Sequence, residues 1–336
     1  YFDTNHNCVA ILGLNYFGEL KKATLTLAWG TAARNGYVSC HGGLKIFQGK
    51  EDGNDYVASF FGLSGSGKST LTHAKHNGKY DIKVLHDDAF VISEKDGSSI
   101  ALEPSYFDKT NDYPTGHPEQ DFFVTVQNCG VTLDENGRKK LMTEDIRNGN
   151  GRTVKSRFAT PNRVDHIEEP INAIFWIMKD DSLPPLIKVN DPLMAATMGC
   201  TLMTKRSSAE NIEGNKQTLV IEPFANPFRV YPLVEDYQNT GTYMGQSIPK
   251  EVSLGIIEKL VDGDAEFKDF GPIEGFQYLD LAEYPVHHFD SKYKQLIRSR
   301  MQFRLNYLLS FNQNDPKLAL PVEAISRLER VINNLK

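Results

Sequence analysis

Residues 58–73 read ASFFGLSGSGKSTLTH, and this stretch decides how the rest of the chain is interpreted. An apolar run enters a glycine-rich turn and continues into a segment of helical character. Residues 62–69 match the pattern G-x-x-x-x-G-K-[ST], in which the N–H groups of a curled backbone cradle phosphate oxygens. Because strand, loop and helix follow in that order, the stretch predicts a nucleoside triphosphate site. It does not indicate which reaction takes place there.

The loop assigns a role to each of its polar residues. Lys68 is expected to neutralise the β- and γ-phosphates, and the Ser69 hydroxyl is expected to bind Mg²⁺. The helix that follows presents the positive end of its dipole to the same anion. The predicted nucleotide contacts are Gly62, Leu63, Ser64, Gly65, Ser66, Gly67, Lys68, Ser69 and Thr70.

A pair of carboxylates follows in VLHDDAF, residues 84–90. The apolar flanks predict a strand that leads into Asp87 and Asp88. Carboxylates in this position hold the metal of a nucleotide site or one of its waters. Neighbouring side chains on a strand point to opposite faces, so only one of the two is expected to face the nucleotide. A solvated acidic turn is the alternative interpretation.

Composition limits the class of protein. The 336 residues carry a net charge of −6, which argues against a nucleic-acid binder. Four widely spaced cysteines without a CxxC pair indicate reduced thiols and a cytoplasmic location. No run of 18 apolar residues exists, so no membrane span is expected. Because the sequence starts at Tyr1 without an initiator Met, we expect it to be a fragment of something longer.

Hydrophobic periodicity predicts a mixed α/β fold with polar loops and short hairpins over residues 94–160. Strands are expected at 8–14, 37–49, 56–63, 81–93 and 171–179. Helices are expected within 15–34, from Ser69 to about Lys75, and at 191–207, 249–263, 291–311 and 321–336. Gly263 is the expected end of the 249–263 helix.

Further motifs flank the phosphate loop in a fixed order: NYFGELKKA (15–23) and YVSCHGGL (37–44) before it, and HDD (86–88), YFDKT (106–110) and SRFATP (156–161) after it. Over residues 8–235 this set resembles the ATP-dependent phosphoenolpyruvate carboxykinases. In that family the corresponding motifs are Y-x-G-E-M-K-K, S-M-H-C, G-L-S-G-T-G-K-T-T-L and G-D-D.

The resemblance implies a mixed α/β P-loop nucleotide-binding lobe like that of the carboxykinases, with mixed sheets flanked by helices. Residues 1–40 would be the tail of an N-terminal substrate lobe and its connection. Residues 41–336 would be the C-terminal lobe that binds nucleotide and metal, the N-terminal lobe being largely absent as in a truncated chain. The implied reaction converts oxaloacetate and ATP into phosphoenolpyruvate, ADP and CO₂, with Mg²⁺ on the nucleotide and Mn²⁺ at the enzyme. The implied partners are small molecules, and the implied assembly is a monomer or a small homo-oligomer.

The same resemblance assigns site residues. The Mn²⁺ ligands would be Lys22, His41, Ser69 and Asp88. Tyr16 and Lys21 would lie beside the organic acid, Arg157 would meet substrate and γ-phosphate, and Lys109 would face the phosphoryl group. The implied catalytic set is Lys22, Lys68, Arg157, Lys109, Lys21 and Tyr16. A lysine binds a metal only when neutral, which requires burial and neighbouring cations.

Three departures from the family leave alternatives open. Ala89 replaces an acidic residue, and LEPSYFDK (102–109) lacks paired glycines. Thr218 and Phe224 occupy the positions of the arginine and threonine that hold adenine and ribose. The alternatives are a diverged small-molecule or protein kinase of the same nucleotide-binding fold, and a non-catalytic ATP-binding homologue.

Overall fold

The computed structural model describes residues 1–336 except 15, 50–54, 63–65, 145–149, 208–216, 222–235, 240–241, 244–245, 287–288, 315, 317–318 and 320. For strand residues 205–207, 217–218, 236–239, 242–243 and 246–247 it describes the backbone alone. The described residues form a mixed α/β fold, as the sequence predicts.

Six α-helices lie in the described part of the chain. Asp191 accepts hydrogen bonds from the N–H groups of Leu193 and Met194 and so caps the third. Gly263 ends the fourth with a positive φ of 76°, as predicted. None of the described helices has the length and apolarity that a membrane span requires. The helices are α1 (Phe17–Arg34), α2 (Lys68–His73), α3 (Pro192–Gly199), α4 (Lys250–Asp262), α5 (Ser291–Asn314) and α6 (Val322–Asn334).

The strands are short outside the central sheet. In chain order they are β1 (Phe2–Asp3), β2 (Cys8–Val9), β3 (Tyr37–Cys40), β4 (Gly43–Gln48), β5 (Tyr56–Gly62), β6 (Asp81–His86), β7 (Phe90–Ser93), β8 (Ser99–Ala101), β9 (Tyr106–Lys109), β10 (Phe123–Gln127), β11 (Gly130–Leu133), β12 (Lys139–Met142), β13 (Arg152–Lys155), β14 (His166–Ile167), β15 (Ala173–Met178), β16 (Leu186–Val189), β17 (Met203–Ser207), β18 (Gln217–Ile221), β19 (Asp236–Asn239), β20 (Thr242–Tyr243), β21 (Gln246–Ser247), β22 (Phe267–Asp269) and β23 (Phe276–Leu279).

The central sheet has eight strands in the order β22-β23-β16-β19-β15-β5-β4-β6. It is mixed, because β15 runs parallel to both β5 and β19 while the other pairs are antiparallel. A four-stranded sheet (β14-β8-β7-β3) and a three-stranded sheet (β10-β13-β9) accompany it. All six residues of β15 are buried, as expected for a strand covered on both faces.

Three predicted elements differ from the structure. The strand predicted over 37–49 is interrupted at His41 and Gly42, and its two parts, β3 and β4, belong to different sheets. The predicted strand 8–14 is wrong: only Cys8–Val9 pairs, with β1, and Leu12 and Leu14 are 88% and 58% exposed. The helix predicted over 191–207 ends at Gly199, and residues 203–207 form β17 instead. In the segments 8–14 and 191–207, the apolar pattern of the sequence continues beyond the point where a neighbouring element supports the predicted structure.

The orientation of β4 brings the predicted site residues to one edge of the sheet. Because β4 is antiparallel to both β5 and β6, these two strands run in the same direction. Gly43, at the start of β4, lies opposite Phe60 near the end of β5, and Leu44 lies opposite His86 at the end of β6. The histidine before β4, the loop after β5 and the carboxylates after β6 therefore meet.

Helix α2 rests on this edge so closely that β4 needs a glycine there. A Cβ atom at Gly43 would lie 1.9 Å from the Thr72 hydroxyl. Thr72 cannot turn away cheaply, because it is fully buried and its hydroxyl donates to the Lys68 carbonyl at 2.8 Å.

Replacement of Gly43 by Ala should therefore lower the free energy of unfolding by about 1–3 kcal/mol, the usual cost of overpacking. Urea unfolding measures the change. Gly255→Ala in α4 is the matched control, because a Cβ there meets nothing within 4 Å. That variant should be neutral or gain up to about 1 kcal/mol of stability. Equal effects of the two substitutions would contradict the packing argument.

Candidate nucleotide and metal site

A hydrogen bond joins the described residues on the two sides of the phosphate loop. Gly67 adopts a φ of 110°, which suits glycine, and directly precedes α2. The Lys68 ammonium donates to the Gly62 carbonyl at 3.0 Å, across the mouth of the loop. Ser69 and Thr70 are exposed on the first turn of α2. The predicted contacts Leu63, Ser64 and Gly65 lie outside the described residues.

Asp88 gathers three predicted site residues around one carboxylate. Lys22 Nζ lies 2.5 Å and Lys21 Nζ 3.0 Å from Oδ2, while His41 Nε2 lies 2.8 Å from Oδ1. The two lysines project from the first turns of α1, and His41 precedes β4. The carboxylate is about a quarter exposed, so it remains open to solvent on one side.

The surroundings set the protonation states of this cluster. Burial opposes ionisation of Asp88, but His41, Lys21 and Lys22 hold its pKa well below the usual range. Burial lowers the pKa of His41 more than the contact with Asp88 raises it, and nearby Lys68 and Lys22 lower it further. The cluster therefore combines an ionised carboxylate with an imidazole that favours its neutral form.

The pKa values of Lys21 and Lys68 shift in opposite directions. Burial alone would lower the pKa of Lys21, but Asp88 and Glu103 outweigh it and raise the pKa. Burial lowers the pKa of Lys68, and the attraction of Asp88 offsets this only in part. Lys21 is thus a firmly charged cation, whereas Lys68 has no close carboxylate partner among the described residues and is available to an anion.

The backbone that carries Asp88 rests on a neutral histidine. His86 Nδ1 accepts the N–H groups of Asp88 and Ala89 at 3.0 and 3.2 Å, and its Nε2 donates to the Ser105 carbonyl at 3.2 Å. This pattern requires the proton on Nε2. Asp87 turns to the other side, 3.4 Å from His73 Nε2. One carboxylate of the pair therefore faces the cluster, although both residues lie in a bend between β6 and β7 and not on a strand.

A second group lies beside the start of α1. The Tyr16 hydroxyl accepts from Arg152 Nε at 3.0 Å, and the tyrosine ring lies where a side chain at Gly18 would stand, 2.3 Å from its Cβ position. Arg152 pairs across the sheet with Lys109, which is exposed at the end of β9. Tyr16, Lys109 and Arg152 thus form one basic, aromatic face.

Arg157 lies apart from that face. Its Nη1 is 2.8 Å from Asp165 Oδ2, and its side chain is 37% exposed. Arg163 contacts the same carboxylate and donates to the Glu103 carbonyl. The Glu103 carboxylate in turn lies 2.8 Å from Lys21, so the contacts of the described residues link Arg157 to the cluster indirectly, through ion pairs and one hydrogen bond to a backbone carbonyl.

The donor atoms around Asp88 are of the kinds that bind a divalent cation. Among the residues that the structure describes, no three His, Cys, Asp or Glu side chains gather as a metal site. The set here is instead mixed: a lysine nitrogen, an imidazole nitrogen and a carboxylate, with the exposed Ser69 hydroxyl one loop away. Imidazole nitrogen and carboxylate oxygen are both ligands of divalent first-row metals. Lys22 would have to release its proton to take part.

Sequence reasoning missed two residues of this region. Arg152 sits in a polar stretch, and only its cross-strand position beside Lys109 marks it. Glu103 is preserved within LEPSYFDK, but its pairing with Lys21 depends on a contact 82 positions away in the chain. The available signal for Glu103 was an acidic residue next to the positions where the family has paired glycines and this chain does not.

The substitution at Ala89 has a packing explanation. Ala89 is fully buried in a small core with Leu25, Trp29 and Val91 beneath α1. A charged side chain there would lose its hydration without a partner. The departure at Phe224 lies outside the described residues, and for Thr218 the backbone alone is described.

Comparison with known proteins identifies relatives in one family. A family model described as phosphoenolpyruvate carboxykinase matches residues 1–230. The phosphoenolpyruvate carboxykinase (ATP) of Aeropyrum pernix is 26% identical over an alignment of 293 residues, which covers 78% of this chain and 58% of that protein. The corresponding protein of Zea mays is 38% identical over 92 residues, 27% of this chain and 12% of that protein. The chain thus spans little more than half the length of the archaeal relative.

Among solved structures, the Hpr(Ser) kinase/phosphatase from Coxiella burnetii aligns with 67% of this chain and 88% of its own. The sequence identity is 13% and the TM-score is 0.25. A superposition of this quality carries no argument about fold or function.

Substitution of Asp88 by Asn tests the charge balance. The free energy of unfolding of the asparagine variant should be lower than that of wild type by about 1–3 kcal/mol at pH 7, the usual cost of losing hydrogen bonds to charged groups. Because the native pKa of Asp88 is depressed, its contribution is present above about pH 4 and is lost as the pH falls further. The difference from wild type should therefore shrink below about pH 4 in urea unfolding with chelator present. Asp112→Asn, at an exposed carboxylate, is the control; a D88N deficit that stays constant with pH would contradict the assignment.

Proposed function

The chain belongs to the phosphoenolpyruvate carboxykinase family, and from this we propose that it forms the nucleotide- and metal-binding part of an ATP-dependent carboxykinase. The reaction is the conversion of oxaloacetate and ATP into phosphoenolpyruvate, ADP and CO₂. In this proposal residues 1–40 are the tail of a substrate lobe, and residues 41–336 are the P-loop lobe. The observation that carries it is the cluster of Lys21, Lys22 and His41 on Asp88, next to Lys68.

ATP occupies the loop from Gly62 to Thr70 in this proposal. Lys68 balances the charge of the transferred γ-phosphoryl group, since it lies at the loop mouth and its close contact is a carbonyl oxygen rather than a carboxylate. The Ser69 hydroxyl, exposed on the first turn of α2, binds the Mg²⁺ that accompanies the nucleotide.

Lys22, His41 and Asp88 hold Mn²⁺ in the same proposal, while Ser69, the fourth predicted metal ligand, serves the Mg²⁺ of the nucleotide. A cation bound there supplies positive charge close to the oxygen of the organic acid and close to the phosphoryl group. The protein residues perform the remaining work. Lys21 keeps its proton and can stabilise the enolate oxygen that develops when CO₂ leaves. Glu103 holds Lys21 in place from the side away from the opening.

Tyr16 and the basic face beside it bind the organic acid and the moving phosphoryl group. Tyr16 and Lys109 keep the roles that the family resemblance implies. For the arginine, the resemblance proposes Arg157, and the contacts favour Arg152, which bonds to the Tyr16 hydroxyl. No proton transfer by an acid–base residue is required, because the chemistry depends on positioning and charge.

A coupled assay of the natural gene product, with oxaloacetate, ATP, Mg²⁺ and Mn²⁺, tests the proposal. Phosphoenolpyruvate should form in proportion to ADP and CO₂. Phosphoryl transfer to another acceptor would instead identify a diverged kinase. ATP binding without any turnover would identify a non-catalytic homologue.

Replacement of His41 by Ala should weaken Mn²⁺ binding by about tenfold or more, as loss of a ligand usually does. ATP affinity should change by less than about twofold, because His41 is not part of the phosphate loop. Electron paramagnetic resonance measures free Mn²⁺, and calorimetry measures ATP binding. His166→Ala, at an exposed position on β14, is the control. Unchanged Mn²⁺ affinity in H41A would contradict the metal site.

Arg152→Met and Arg157→Met discriminate between the two arginines. Replacing the arginine that contacts the phosphoryl group should lower kcat by about 10²- to 10³-fold, the typical cost of removing a hydrogen-bond donor to developing charge. We expect this loss for R152M and less than about tenfold for R157M, since Arg157 is held by Asp165 at the surface. The reverse ranking would restore the assignment by resemblance.

A further inference from the structure

A buried lysine lies behind the phosphate loop, where the site itself makes no use of it. Lys45 lies on β4, between β5 and the edge strand β6 of the central sheet, and is completely buried. Its Nζ contacts the carbonyls of Leu71 and Ala74 at 2.7 and 3.2 Å, both at the end of α2. It also lies 3.0 Å from His76 Nε2. The opposite end of the same six-residue helix carries Lys68 and Ser69.

His76 also contacts a carboxylate on another helix. His76 Nδ1 lies 3.0 Å from Glu258 Oε1 on α4. Lys79 and Asp262 flank Glu258, with Lys79 Nζ 3.7 Å from its Oε2 and 2.7 Å from Asp262. Tyr80 donates to Asp262 at 3.0 Å, and the rings of Phe47 and Phe60 face the Lys45 ammonium. The charged groups facing Lys45 and His76 are therefore Glu258 and, behind it, Lys79 and Asp262.

We propose that Lys45 is a positioning residue which seats the end of α2 through a proton that it holds together with His76 and Glu258. As an ammonium, Lys45 has three N–H donors for three acceptors: the two helix carbonyls and His76 Nε2. His76 then donates its Nδ1–H to Glu258, so every group is satisfied. As a neutral amine, Lys45 has two donors for the same three acceptors, and one acceptor loses its partner.

Because these contacts depend on how many protons Lys45 carries, the attachment of the end of α2 to Lys45 is sensitive to pH. Burial lowers the pKa of Lys45 to about 7, against the attraction of Glu258. Burial and the charge of Lys45 lower the pKa of His76 to about 4. The group therefore holds its shared proton below about pH 7 and releases it above. Since Gly43 and Thr72 already pack α2 against β4, release loosens the end of the helix without detaching it.

The consequence for nucleotide binding rests on the proposed function. A firmly seated α2 holds Lys68 and Ser69 in register with the loop, and a loosened one does not. ATP affinity should accordingly depend on the protonation of a residue that never touches the nucleotide.

Amide hydrogen exchange of residues 71–74, without nucleotide, tests the seat in the full chain. Exchange in Lys45→Met should be about tenfold faster than in wild type at pH 6, the effect of losing a charged hydrogen bond. This ratio should fall towards pH 9, where wild type has lost its proton as well. Intrinsic exchange rates cancel, because the substitution is remote in sequence from these amides. Lys83→Met, at a partly exposed lysine on neighbouring β6, is the matched control and should leave the ratio near one.

Glu258→Gln provides a second test with a side chain that is 27% exposed and tolerates replacement better. Loss of its charge should move the pH at which exchange accelerates to a lower value. A K45M ratio that is one, or equally raised at every pH, would overturn the proposal, as would an unshifted pH profile in E258Q if K45M does not fold.

ATP affinity is measured in the same variants by calorimetry. The ratio of K45M to wild-type dissociation constants should follow the exchange ratio, and ionisation of ATP cancels in it. Wild-type protein that fails to bind ATP would contradict the proposed function, while the exchange data would still decide the role of Lys45.

Discussion

The negative charge of Asp88 is the constraint on which the candidate site depends. Lys21, Lys22 and His41 lie within 3.0 Å of its carboxylate, and the two lysine cations would repel each other strongly in a partly buried cleft without it. Two unit charges 4 Å apart interact by about 4 kcal/mol at the effective dielectric of a protein surface. One carboxylate therefore allows the start of α1 to approach the strand edge. Its own backbone is held by His86, which must stay neutral to accept two N–H groups.

Sequence predicts those parts of the structure that depend on local pattern or on motif order. The glycine loop, the helix after it and the ending of α4 at Gly263 follow from local backbone chemistry. The meeting of Lys22, His41 and Asp88 was implied by a family resemblance, and the orientation of β4 is its physical basis. Their roles in binding and catalysis remain proposals.

What sequence could not predict depends on register and on partners distant in the chain. Leu12 and Leu14 have strand-like neighbours in sequence but no strand beside them, so the apolar pattern there forms no sheet. Arg152 and Glu103 gain their importance from Tyr16 and Lys21, which lie 136 and 82 positions away. Lys45 reads as an ordinary polar position on a strand, and only the packing of α2 and α4 reveals a buried cation.

The direction of β4 also separates the end of the strands that carries the candidate site from the opposite end. The chain enters β4 beside His41 and leaves it at Gln48, on the edge opposite Lys68 and Asp88; it returns along β5 from Tyr56. A peptide inserted between these two strands would emerge far from the phosphate loop, and such connections usually accept extra length at small cost. A reporter attached to the connection between Gln48 and Tyr56 would therefore leave the strand ends near Lys68 and Asp88 unchanged.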